Sequence, residues 1–163
     1  MSTTNEVVGA DPRIAAAGPG PDSEITWLLH RAAQRLRTVT GTEAEQHGLQ
    51  LRDHIVLSAL HKTPGLTQVE LAKALGLDKT TLMSQLDRLE RTGLVERRSD
   101  PRDRRARIPA LTEQGDALRA SVAAGTERAE RTALEQFDAQ QVADLRRMLF
   151  AIIGTSEDPG SCM

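Results

Sequence analysis

Residues 67–115 read TQVELAKALGLDKTTLMSQLDRLERTGLVERRSDPRDRRARIPALTEQG, and this stretch decides the fold. Thr67 and Glu70 have the T-x-x-E spacing that satisfies two orphan backbone N–H groups at a helix start. A helix is therefore expected from Gln68 to about Ala74, with Gly76 supplying the positive φ of a tight turn. Asp78 caps a second helix; Leu82, Leu86 and Leu89 form its apolar face and Gly93 its stop. Leu94–Arg98 and Arg107–Leu111 read as short strands, and residues 99–104, SDPRDR, as the turn between them. Pro109 has no N–H, so its strand belongs at an edge. A helix, a turn, a second helix and an arginine-rich hairpin are the parts of a DNA reading head with a wing.

Charge supports this reading locally, not globally. The 163-residue chain carries a formal charge of -2, so any nucleic-acid surface has to be concentrated. From Arg88 to Arg107 there are eight arginines against four acids. Such a run is often a solvated face; directly after a helix-turn-helix it reads as a phosphate-facing patch.

Outward from this centre, the fold class is mainly α with a small β-hairpin wing. Residues 1–21, rich in Gly, Pro, Ala, Ser and Thr, read as a flexible arm. Residues 22–47 hold an N-terminal helix, capped by Asp22 or Ser23, with Ile25, Leu28, Leu29, Ala32, Ala33, Leu36 and Val39 at helical spacing. Residues 48–111 form the winged helix-turn-helix domain, opening on a helix from Leu51 to His61 with Ile55, Val56, Ala59 and Leu60 inward. Residues 112–154 hold two C-terminal helices capped by Thr112 and Asp138, and residues 155–163 a loose tail. The N- and C-terminal helices carry more apolar surface than a small winged helix covers, which predicts a homodimer.

This order of elements resembles the MarR (multiple antibiotic resistance regulator) family. The resemblance rests on Thr80–Gly115, TTLMSQLDRLERTGLVERRSDPRDRRARIPALTEQG, and extends over about Ser23 to Gly154. It implies a homodimeric winged-helix transcription factor, usually a repressor, released from a palindromic double-stranded DNA operator by a small aromatic or lipophilic anion. The family's wing carries a D-x-R element. By the resemblance, Asp103 would brace the wing through a salt bridge, and Arg105 would enter the minor groove. A guanidinium suits a narrow, electronegative groove.

On the second helix of the motif, Lys79, Thr80, Thr81, Ser84, Gln85 and Arg88 are the candidates to face the groove. Gln85 suits an adenine, and Arg88 a phosphate or guanine edge. On the wing, Arg98, Arg102 and Arg104 are candidate phosphate contacts; Arg97 and Arg98 alternate, so at most one of them faces DNA. Two half-sites one helical turn apart, ~10 bp, are expected.

Control is less legible. The only cysteine, Cys162, lies in the tail and suits neither disulfide nor thiol sensing. His54 and His61 are two helical turns apart, ~10 Å, too far for one ion, so no metal or cofactor is expected. Trp27 and Arg31, four apart, either hold an aromatic carboxylate with His30 or His54 nearby, or serve as interface and surface residues. No phosphate loop, nucleophile elbow or catalytic cluster appears, so no enzyme is expected. Without a membrane span or secretory signal, the expected location is the bacterial cytoplasm, at the nucleoid. A winged helix used for protein–protein contact, or DNA binding without a ligand, remains as an alternative.

Overall fold

Each helix of the reading head begins where a side chain satisfies its first N–H groups. The computed structural model describes residues 17–101, 103 and 105–154. Among these the element order is α1 (Ile25–Gln46), α2 (Leu51–Lys62), α3 (Gln68–Leu75), α4 (Lys79–Arg91), β1 (Val95–Ser99), β2 (Arg107–Leu111), α5 (Glu113–Ala133) and α6 (Ala139–Ile153). Most of the arm expected over 1–21, the tail over 155–163, and Arg102 and Arg104 lie outside the described residues.

The predicted caps are in place. The N–H of Thr67 donates to Glu70 Oε2 at 2.8 Å, and that of Glu70 to Thr67 Oγ1 at 3.3 Å. Gly76 closes α3 at φ 62°, ψ 31°, a left-handed conformation that a Cβ disfavours. The N–H of Thr81 donates to Asp78 Oδ1 at 2.8 Å. Asp138 and Gln141 cap α6 reciprocally, at 2.8 and 2.9 Å. At α1 the expectation fails: Ser23 Oγ accepts the N–H of Gly20, behind it in sequence, at 3.0 Å.

The chain falls into two units, residues 1–37 and 38–163. In the first, the described part is the start of α1 and the turns before it, with Ile25 and Trp27 exposed. In the second, one core gathers Val56, Leu57 and Leu60 of α2, Leu71 of α3, Leu82, Leu86 and Leu89 of α4, Leu94 and Val95 at the wing, and Val122 of α5. On α2 the inward stripe is 53/56/57/60, so Leu57 is buried and Ile55 is 45% exposed, contrary to expectation. The helical period explains the difference: Ile55 is 100° out of phase with Val56 and 200° with Leu57, on the turn's outer side.

The strands pair antiparallel, with Arg97 opposite Pro109. Thr112 N–H reaches Leu94 O at 3.2 Å, and Asp100 N–H reaches Ala106 O at 3.2 Å. Hydrogen-bonded pairs therefore fall on even positions of β1, and Pro109 occupies a non-hydrogen-bonded site. Its missing N–H breaks nothing, which is why a proline sits buried in this strand.

Thr112 joins three elements through one hydroxyl. It donates to Gly93 O at 2.7 Å, beyond the end of α4, and accepts the N–H of Gly115 at 3.0 Å, capping α5. This draws the first turn of α5 against the wing so closely that a Cβ on Gly115 would lie 2.0 Å from Leu94 O. By contrast α6 has no buried residue, and Met148, Phe150, Ile152 and Ile153 are all exposed, Phe150 at 74%.

Gly115→Ala is expected to destabilise the fold by about 1–3 kcal/mol, because the obstacle is backbone and cannot swing away. Urea unfolding of the two proteins measures it; an unchanged midpoint would mean that α5 does not press on Leu94.

Candidate nucleic-acid interface

The face of α4 opposite its leucines is the outer surface of the helix-turn-helix. Thr80 and Ser84 are exposed there, Lys79 is exposed at the helix's first position, and no acid occupies the helix's first turn. Thr81, half-buried, is engaged in the cap: its hydroxyl donates to Asp78 Oδ2. These hydrogen bonds hold the Asp78 carboxyl below its usual pKa, first through the Thr81 hydroxyl and then through its N–H.

Of the expected groove residues, one is turned to the core and another is paired within the chain. Gln85 is 6% exposed, and its Oε1 has no hydrogen-bond partner among the described residues. It stands at i+3 from Leu82 on the stripe 82/85/86/89, which faces the core. The expectation that it meets an adenine is corrected on that ground. Arg88 is half-buried and donates through Nη2 to Asp53 Oδ1, a pair that ties α4 to the start of α2. Asp53 was not a sequence candidate, yet its position on the α2 stripe 53/56/57/60 is the signal that could have found it. An inward carboxylate demands a cation.

The wing is held to α4 by Arg97. Its Nη2 lies 2.6 Å from Asp87 Oδ1, its Nε donates to Glu90 Oε2 at 3.0 Å, and its backbone N–H donates to Glu90 Oε1 at 3.2 Å. The hydrogen bond from Arg97 is the main reason the Glu90 carboxyl sits below its usual pKa. As the alternation required, Arg98 points the other way, exposed and paired with Glu96. At the tip, Asp103 Oδ1 accepts the N–H of Arg105 at 2.9 Å, and Asp103 O that of Ala106 at 2.9 Å. Asp103 thus shapes the turn from which the exposed Arg105 projects.

Of the residues considered for a ligand, Trp27, His30 and Arg31 belong to the first unit and His54 to the second. Arg31 Nη1 donates to Gln34 Oε1 at 2.9 Å. His54 Nε2 lies 3.4 Å from Ser58 Oγ, while its Nδ1 is buried without a partner among the described residues. Burial, and then the charge of Arg119, pull the His54 pKa below its ordinary value. His61 meets Asp116 at 2.9 Å instead of sharing a site with His54. Among the described residues no three His, Cys, Asp or Glu side chains are placed to hold a metal, and no helix is long and apolar enough to cross a membrane.

A capped two-helix head, a cationic hairpin clamped to its second helix, and long flanking helices define a winged helix-turn-helix DNA-binding protein. Residues 47–106 match the MarR family. The chain is 29% identical over 132 residues to HTH-type transcriptional repressors of Mycobacterium tuberculosis and Mycobacterium bovis, spanning 81% of this chain and 95% of each relative. Among solved structures, a MarR-family transcriptional regulator from Rhodococcus sp. RHA1 matches with a TM-score of 0.76 at 29% identity, over 82% of this chain and 94% of that one. CouR from Rhodococcus jostii RHA1, solved bound to p-coumaroyl-CoA, matches at 0.74 and 27% over the same shares. The chain is thus similar to MarR-family transcriptional regulators over most of its length, with the family match itself falling on the winged helix-turn-helix.

The clamp has a pH signature. Because the Glu90 pKa is depressed in the folded chain, its contribution is present above the ordinary carboxylate range and lost as pH falls through the lowered value. Glu90→Gln is expected to lower stability at neutral pH by about 0.5–1 kcal/mol, a screened surface value. The difference in melting temperature from the parent should close as pH falls below the ordinary carboxylate range; a difference independent of pH would remove the ion pair as its cause.

Proposed function

We propose that this chain is a repressor that binds a palindromic duplex as a homodimer and is released from it by a small organic ligand. One observation carries the DNA-binding part: the exposed, acid-free first turn of α4 stands beside a wing whose tip projects Arg105. A recognition helix reads base edges with its amino-terminal residues. Lys79, Thr80 and Ser84 are therefore the reading set, with Thr81 at the cap behind them. Arg105, flanked in sequence by Arg102 and Arg104, enters the adjacent minor groove, and Arg98 approaches phosphate by opening its pair with Glu96.

Repression is supported by the mycobacterial relatives, both described as repressors. The homodimer is supported by α6, whose Met148, Phe150, Ile152 and Ile153 find no cover among the described residues. Two reading heads related by a two-fold axis match two half-sites about 10 bp apart. Ligand release is supported by CouR, which was solved with p-coumaroyl-CoA; the class proposed here is an aromatic acid or its thioester.

Arg105→Ala is expected to weaken binding to a duplex selected from genomic fragments, and to lower the salt slope of binding by about one, while fold and dimer persist. Gel-shift titration over a salt series, with circular dichroism alongside, measures this. Unchanged affinity takes the wing out of the mechanism, and binding insensitive to salt and sequence points to a protein partner instead.

Sedimentation should find a dimer at micromolar concentration, and a panel of aromatic acids and their thioesters should include one that raises the melting temperature and releases the duplex. A monomer, or a panel without response, removes the corresponding part of the proposal.

A further inference from the structure

Asp53 is the only acid of α2, and its side chain is 3% exposed. One carboxylate oxygen, Oδ2, accepts the N–H of Gln50 at 2.9 Å at the helix start; the other accepts from Nη2 of Arg88, 35 residues further along the chain. A carboxylate so withdrawn from water is costly unless a cation faces it, so the pair is kept closed by the burial of its acidic half. Arg88 remains 37% exposed. A guanidinium carries five N–H donors in one rigid plane, and no other acceptor among the described residues takes a bond from this one. Fixing one corner of the plane fixes the direction of the rest. Arg88 lies on the third turn of α4, past the residues that reach base edges, where a helix in the major groove runs against the phosphate wall.

We infer that Asp53 is a positioning residue for DNA binding: it holds Arg88 so that the outer edge of the guanidinium meets one backbone phosphate. The inference rests on α4 being the recognition helix. It also predicts a sign opposite to that of bare charge. Coulomb repulsion alone would make removal of an acid beside DNA tighten binding; loss of a positioned arginine makes removal weaken it.

The test uses Asp53→Asn in the full chain, with the duplex that the parent protein selects from fragmented genomic DNA. Asparagine keeps the volume and an acceptor for the Gln50 N–H. The expected result is a folded dimer whose affinity falls about five- to thirtyfold, since a long side chain must now be ordered on binding, with the salt slope reduced by up to about one. Arg88→Ala should reproduce both changes, and the double variant should bind no worse than Arg88→Ala alone.

Equal or tighter binding by Asp53→Asn, or losses that multiply in the double variant, overturns the inference. Should Asp53→Asn fail to fold, Arg88→Lys carries the test with Asp53 intact. Lysine keeps the charge without the plane, so its affinity must fall close to that of Arg88→Ala, and parent-like binding overturns the inference. A parent protein that selects no duplex overturns the DNA reading itself and this inference with it; the variants alone can overturn the inference while that reading stands.

Discussion

The phase of α4 is the constraint on which the rest depends. Leu82, Leu86 and Leu89 are fully buried, each stabilising the fold by about 1.5–3 kcal/mol, and together they fix which side of a thirteen-residue helix faces outward. A rotation of one residue would turn about 100° of surface, hiding one flank of the outer face and exposing leucine. The chemistry of the outer face is thus set by packing on the inner one. The same constraint extends to the wing, because Arg97 binds Asp87 and Glu90 on α4. Helix and hairpin are held in one frame, as simultaneous contact with neighbouring grooves requires.

Much of this frame is legible in the residue order. Caps were read correctly at Thr67, Asp78, Thr112 and Asp138, because each is a local hydrogen-bonding event between residues three apart. The hairpin was legible from turn chemistry, and its register placed Pro109 where no N–H is needed. The similarity to MarR-family regulators was legible too, from a long ordered run that local physics alone would not have named.

What was misread turns on phase and on distance. Gln85 looked like a reading residue because glutamine is polar, yet its spacing from Leu82 and Leu86 already placed it on the inward stripe. Ile55 failed in the opposite sense, an apolar residue on the outer side of α2. Arg88 was recognised as important, but its partner lies 35 residues away, and nothing local to either residue indicates the other. Ser23 was expected to cap forward and instead bonds backward to Gly20. Long-range pairing needs the tertiary fold.

The bareness of α6 has a consequence for how the gene product behaves when scarce. A terminal helix that finds cover only on a second copy makes the working state bimolecular in the proposed assembly, so its population depends on the square of monomer concentration. Dilution after cell division would then thin the occupied operators faster than it thins the protein. Such a switch responds to its own copy number before any ligand arrives.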